Sequence, residues 1–182
     1  MSITKIVITG GPCAGKTTGM SWIQNAFTER GYRVLFISET ATELISGGVA
    51  PWICSDNTEY QKCQMKLQLE KEKVFEQAAR TMDSDKILIV CDRGTLDNKA
   101  YMTEADFSLV LNELGLNEVE LRDGYDAVFH LVTAAKGAEK FYTTANNTAR
   151  TETVDEAVAF EEKMKHLIAE IANFLGEPDH MR

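Results

Sequence analysis

The sequence lacks what a membrane-spanning, secreted or zinc-held protein needs. Its longest apolar runs, such as Ile87 to Cys91 and Ala127 to Val132, fall far below the roughly 20 residues of a membrane span. Its N-terminus has no basic-then-apolar profile of a signal peptide. The four cysteines, Cys13, Cys54, Cys63 and Cys91, form no C-x-x-C pair, which favours reduced thiols over a disulfide framework or a zinc site. Basic residues are few: 19 Lys and Arg against 28 Asp and Glu leave a formal charge of -9, which opposes broad attraction to nucleic acid or to an anionic membrane. Any phosphate must therefore be held by a local site. No internal repeat or low-complexity linker breaks the chain. These absences point to a cytoplasmic protein.

What remains is ordinary globular material. The chain has 182 residues, 44% hydrophobic and 26% charged, enough for a single domain that buries about 70% of its unfolded surface and needs no metal or disulfide to fold. Lys5 to Thr9 reads as a buried strand and Thr17 to Arg30 as a helix with Met20, Ile23 and Phe27 on one side. Gly31 then serves as a left-handed cap, and Arg33 to Ser38 is a second strand, which makes a βαβ unit. Gly47 to Asn57 reads as an exposed loop. A helix over Glu59 to Met82 follows, capped by Asp56, Asn57 or Thr58, with Tyr60, Cys63, Leu67, Val74 and Ala78 at helical spacing. Further strands are expected at Lys86 to Cys91 and Ala127 to Val132, helical patterns at Asp97 to Met102 and Ala105 to Leu114, and a last helix over Glu152 to Leu175.

One stretch asks for a chemical explanation. Gly10-Gly11-Pro12-Cys13-Ala14-Gly15-Lys16-Thr17 is G-x-x-x-x-G-K-S/T, placed between a strand and a helix as a P-loop must be. The glycines let consecutive backbone N–H groups turn inward as an anion nest. The helix start, with Thr18 in its first turn, adds free N–H groups and a positive dipole end. Lys16 reaches the β- and γ-phosphates and Thr17 ligates magnesium. The expected occupant is the triphosphate of ATP, with GTP as the alternative.

Three further groups belong to the same end of the sheet. Asp92 and Arg93 end an apolar strand beside the P-loop; Asp92 orders magnesium through a water or takes a proton, and Arg93 neutralises the moving phosphoryl group. Glu39 ends the second strand, either as general base for a substrate hydroxyl or as cap of the helix at Thr40 to Ile45. The polar segment of about 134–151 reads as a lid, from which Arg150, near Asn146 and Asn147, closes over the triphosphate. Trp52 and Tyr60 either stack on a planar substrate or pin a loop to the core. His130, within an apolar strand, reads as a core histidine.

Taken together, ITGGPCAGKTT, the SET of Ser38 to Thr40, CDRG at Cys91 to Gly94 with LDNKAY behind it, YDAVFHLVTAA from Tyr125 and NNTARTE from Asn146 resemble one family. It is the P-loop ATPase or kinase domain, AAA-type, shared by NadR-like and TRPL-translocation-defect-like proteins. The resemblance implies a three-layer α/β/α fold with a mostly parallel sheet and a lid, like nucleoside and nucleoside monophosphate kinases. It also implies ATP and Mg2+. NadR-like relatives phosphorylate a ribosyl hydroxyl of nicotinamide riboside, and the translocation-defect-like relatives bind nucleotides and phosphoinositides. The strand that such relatives carry after about residue 157 is absent from this sequence.

The expected function is thus transfer of the γ-phosphoryl group of ATP to a small, nucleoside-like acceptor. The alternative is a nucleotide-gated binding module for a protein or phosphoinositide partner. Asn98-Lys99-Ala100-Tyr101 lacks the aspartate of N-K-x-D, and Asp92-Arg93-Gly94-Thr95 lacks the glycine of D-x-x-G, which disfavours a Ras-like GTPase.

Overall fold

The computed structural model describes residues 1–10, 16–131 and 154–177, with backbone only at 16–18 and 154–160. The elements are β1 (Ser2–Gly10), α1 (Lys16–Thr28), β2 (Arg33–Ile37), α2 (Thr40–Ser46), α3 (Asn57–Ala79) and β3 (Lys86–Asp92). A 3-10 helix (Thr95–Tyr101), α4 (Glu104–Leu114), α5 (Glu118–Asp123), β4 (Ala127–Leu131) and α6 (Val154–Phe174) follow. The four strands form one parallel sheet of order β2-β3-β1-β4.

Helices cover both faces of the two central strands, so β1 and β3 are continuous apolar runs, and their side chains alternate between two cores. Ile6, Ile8, Leu88 and Val90 pack with Ile23 and Phe27 of α1 and with Met164, Leu167 and Ile171 of α6. Val7, Ile87, Ile89 and Cys91 face the other way, with Ala79 and Phe75 of α3. A third cluster, Met65, Phe107, Val110 and Leu121, seats α4 and α5 against α3. The chain turns from α1 into β2 through Gly31 at φ 81, the left-handed cap its position predicts. Asp56 caps α3, its carboxylate accepting from the Glu59 N–H at 2.8 Å.

Helix α3 departs from the sequence expectation. Cys63 is exposed, as are Leu67 and Val74. The buried face holds Tyr60, Gln61, Gln64, Met65, Gln68 and Glu72. Apolar spacing failed here because the helix lies over the polar ends of the strands and over the 3-10 helix, where backbone carbonyls and side-chain amides need partners. His130 is also not in the core. It is exposed, because β4 stands at one side of the sheet and alternates exposed with covered positions. Helix α6 runs unbroken over 154–174, and among the described residues no helix is long and apolar enough to cross a membrane.

Midway along the β1–β3 pairing, where Lys5 stands beside Ile89, Lys5 is paired with Glu76 at 2.6 Å and Glu72 at 3.1 Å, and lies over the Tyr125 ring. The Tyr125 hydroxyl donates to Glu72 at 2.7 Å and accepts from the Thr95 N–H at 2.9 Å. Burial opposes the charge of Lys5, but hydrogen bonds and charge from Glu76 and Glu72 outweigh it and hold the ammonium's pKa above its ordinary value. Burial, followed by the charge of Glu72, drives the Tyr125 phenol well above the usual tyrosine range, so it remains a donor. Lys5→Met strands a buried carboxylate, and removing one partner of such a pair costs about 3 kcal/mol, the low end because Glu76 is partly solvated. In urea unfolding Lys5→Met is expected to lower the midpoint, and Lys5→Met with Glu72→Gln to recover part of the loss; a wild-type midpoint for Lys5→Met would refute the pairing's role.

Candidate functional site

Parallel register sets which strand ends meet. Ile8 pairs with Asp92 and Ile37 with Cys91, so Gly10, Asp92–Arg93 and Ser38–Glu39 leave the sheet along the same edge. Gly10 is at φ 154, and a Cβ there would stand 2.5 Å from the Leu131 carbonyl oxygen. Only glycine fits between β1 and β4 at this point. Gly11, Pro12, Cys13, Ala14 and Gly15 lie outside the described residues. Lys16, Thr17 and Thr18 open α1; their side chains are outside the description, as are Asn146, Asn147, Arg150 and the expected lid.

What is described suits a magnesium–triphosphate group. The first turn of α1 contains no acidic residue, so the helix does not itself set a carboxylate against an anion at its positive end. Asp92, half-buried, ends the adjoining strand. Among the described residues no three His, Cys, Asp or Glu groups converge on a metal site of their own, and P-loop chemistry requires none, since the phosphates supply much of the coordination.

Arg93 has the one positive φ, 75°, of any non-glycine among the described residues. Such a backbone costs on the order of 1–3 kcal/mol and persists only where neighbours over-determine it. Here its N–H donates to the Ile8 carbonyl at 3.0 Å, its carbonyl accepts from Gln68 Nε2 at 3.0 Å, and its Nε donates to Glu39 Oε1 at 2.8 Å. Burial works against the guanidinium's charge, but the Glu39 hydrogen bond, with the charges of Tyr101, Glu39 and Asp97, holds its pKa above the ordinary value.

Glu39 occupies the N-cap position of α2 but makes no capping hydrogen bond with its side chain. Its Oε1 is turned to Arg93, and its Oε2 accepts from the Thr42 hydroxyl at 2.7 Å. The two expected site residues Glu39 and Arg93 are therefore brought together. Asp97 joins them, accepting from the Thr9 hydroxyl at 2.8 Å and the Gly94 N–H at 3.0 Å, which ties the 3-10 helix to the residue just before the glycine turn.

Behind the Glu39–Arg93 pair lies a cavity of about 190 Å³ between α2, α3 and the 3-10 helix. Its wall includes Tyr60, Gln61, Gln64, Gln68 and Asn98, of which the sequence singled out Tyr60 as an aromatic and Asn98 only as part of an incomplete N-K-x-D. A signal was present: Gln61, Gln64, Gln68 and Glu72 recur at helical spacing, a stripe of three amides and a carboxylate on a helix whose other polar positions are mostly Lys and Glu. Trp52 is 73% exposed and is not on the cavity wall, while Tyr60 is 2% exposed and is. The paired aromatics of the sequence thus separate.

The sequence model of the AAA domain family matches residues 5–174. No curated protein sequence matches the chain. A solved structure described as "Crystal structure of APE1195" is similar over 93% of this chain and 95% of its own, at 17% identity and a TM-score of 0.40. The parallel order β2-β3-β1-β4 with helices on both faces is that of P-loop nucleotide-binding and kinase folds. With the match running over nearly the whole chain, this protein belongs to the AAA domain family and is a P-loop nucleotide-binding domain.

Proposed function

We propose that the domain is a magnesium-dependent phosphotransferase that moves the γ-phosphoryl group of ATP to a small, nucleoside-like hydroxyl acceptor. The observation that carries this reading is the Glu39–Arg93 pair at 2.8 Å, which adjoins both the strand end leading to the glycine turn and the cavity. The cavity offers an acceptor a place beside that pair.

In this scheme the glycine turn and Lys16 position the triphosphate, and Thr17 and Asp92 hold the metal. Magnesium, when bound, neutralises charge on the β- and γ-phosphate oxygens. The acceptor oxygen forms a bond to the γ-phosphorus, the bond from that phosphorus to the β–γ bridging oxygen breaks, and the hydroxyl proton passes to Glu39. Arg93 holds the Glu39 carboxylate in place through the 2.8 Å hydrogen bond. With Arg150, it also offsets charge spread over the equatorial oxygens. Positioning supplies most of the effect, because a loose transition state asks little covalent chemistry of the protein.

Two measurements test this. Magnesium with a non-hydrolysable ATP analogue, at about 100 times its dissociation constant, adds roughly 2.7 kcal/mol and raises the thermal midpoint by about 5 to 10 °C; Lys16→Ala is expected to lose most of that shift. No shift with any triphosphate would sink the nucleotide assignment.

Turnover with ATP and GTP, against a panel of nucleosides, nucleotides, sugars and inositol lipids, then separates the roles. Glu39→Gln is expected to lower kcat by about 10² to 10⁴ with nucleotide affinity nearly intact. Asp92→Asn is expected to require more magnesium. Tight nucleotide binding with no transfer to any acceptor would favour a nucleotide-gated module for a protein or phosphoinositide partner instead.

A further inference from the structure

Resting on the phosphotransferase reading, we propose that Lys71 is the positioning residue for the general base. Its ammonium clamps the chain on both sides of Glu39 and so sets where that carboxylate stands.

The ammonium reaches from α3 to the junction of β2 and α2. It donates to the Ser38 carbonyl at 2.8 Å, to the Ser38 hydroxyl at 3.3 Å and to the Thr40 hydroxyl at 3.4 Å, and it pairs with the Glu43 carboxylate. Ser38 and Thr40 are the residues immediately before and after Glu39. The Ser38 carbonyl shares a rigid peptide plane with the Glu39 N–H, so holding the oxygen holds the rotation at which Glu39 enters the site. Thr40 is buried and is the first residue of α2. Holding its hydroxyl fixes the other side.

The stability of α2 does not call for this lysine. A cation at the N-terminal end of a helix is opposed by the dipole. Its pair with Glu43 has one partner half-exposed, and such surface pairs contribute little. Glu39, for its part, stands at the N-cap position without capping the helix, its two carboxylate oxygens going to Arg93 and Thr42 instead. A helix start with no side-chain cap frays more readily, and fraying here would displace the base. Lys71 restrains the chain where a cap would otherwise do so.

One turn earlier on α3, Gln68 does the corresponding work for the partner of Glu39. Residues three apart are neighbours on a helix surface, and Gln68 Nε2 donates to the Arg93 carbonyl at 3.0 Å. A single turn of α3 therefore holds both members of the 2.8 Å pair, Gln68 through the backbone of Arg93 and Lys71 through the backbone beside Glu39. Lys71 is not on the cavity wall, whereas Glu39 is. Its effect on an acceptor is thus exerted through Glu39.

A general base must lie within hydrogen-bond reach of the proton that it takes, and a misplacement of about 1 Å can cost on the order of 10²-fold in rate. The test uses the full chain, with ATP and the best acceptor of the panel above. Lys71→Met keeps the apolar stem and removes the ammonium. It is expected to lower kcat about ten- to hundredfold while leaving the KM for ATP, and the thermal shift with magnesium and the non-hydrolysable analogue, unchanged. Lys71→Arg, which restores a cation with several donors, is expected to recover most of the loss. Lys73→Met removes an exposed lysine of the same helix and is expected to behave as wild type. In a Glu39→Gln background, Lys71→Met is expected to lower kcat no further, because a positioning residue then has no base to position. Amides of residues 39–44 are expected to exchange about three- to tenfold faster in Lys71→Met, the effect of losing one hydrogen bond.

Unchanged kcat in Lys71→Met overturns the proposal. The same fold-loss in the Glu39→Gln background as in wild type also overturns it, since Lys71 would then act elsewhere. A loss of analogue binding that matches the loss of kcat assigns Lys71 to the nucleotide site and overturns it as well. Unchanged amide exchange at residues 39–44 overturns the clamp whatever the turnover. Full kcat in Glu39→Gln, or no transfer by wild type to any acceptor, overturns the phosphotransferase reading of Glu39 itself and is read without any Lys71 variant.

Discussion

The left-handed backbone of Arg93 is the constraint on which the site's geometry depends. One residue past β3, the chain must leave the sheet, turn its guanidinium toward the end of β2, and begin the 3-10 helix. A non-glycine residue takes φ 75 only when held there, and the holders come from three separate elements: Ile8 of β1, Gln68 of α3 and Glu39 at the start of α2. Each contact fixes a different part of the residue, its N–H, its carbonyl and its side chain. The guanidinium is thereby oriented before any ligand arrives, which is the condition for charge stabilisation without reorganisation.

Gln68 connects this point to the other end of α3. Its amide nitrogen also donates to Glu72 at 3.2 Å, and Glu72 is the carboxylate that meets Lys5 and Tyr125. Tyr125 in turn holds the Thr95 N–H, at the start of the 3-10 helix. A continuous polar network therefore runs beneath the site, from the Lys5 ion pair to the carbonyl of Arg93. Gln68, Glu72 and Thr95 are buried and Lys5, Tyr125 and Arg93 half-buried, so each is worth more as a satisfied whole than as separate pairs, and loss of one leaves a buried neighbour without compensation. The same helix face continues past Gln68 to Gln64 and Gln61, where the satisfied network gives way to the polar wall of the cavity. Helix α3 thus serves as a rigid polar spine, with one end structural and the other facing the space beside Glu39.

Much of the architecture was legible in the residues. Buried parallel strands announce themselves as short, unbroken apolar runs, which is why β1, β2, β3 and β4 lie where the sequence places them to within a few residues. The glycine turn between a strand and a helix is a local chemical pattern, and Gly31 and Asp56 mark helix ends through local backbone and capping requirements. The outcome at α3 was different. Its apolar residues have helical spacing, but Leu67 and Val74 are exposed, since the helix rotates to satisfy strand-end and 3-10 helix groups that are distant in sequence. His130 was misread for a related reason, because an apolar run does not reveal whether a strand has neighbours on both sides.

The sequence by itself determined the βαβ start, the phosphate-binding turn and the carboxylate and guanidinium at the strand ends, because each of these follows from residue type and short-range spacing. Only the tertiary structure decided that Glu39 turns its carboxylate to Arg93 at 2.8 Å rather than to the helix it precedes. It alone showed that Asp97 belongs with Thr9 and that Gln61, Gln64 and Asn98 share one cavity wall. The physical reason is range. Turns, caps and strands are fixed by neighbours a few residues away, whereas these contacts join residues 34 to 88 positions apart and arise only when parallel pairing aligns the strand ends and α3 packs its polar face across them.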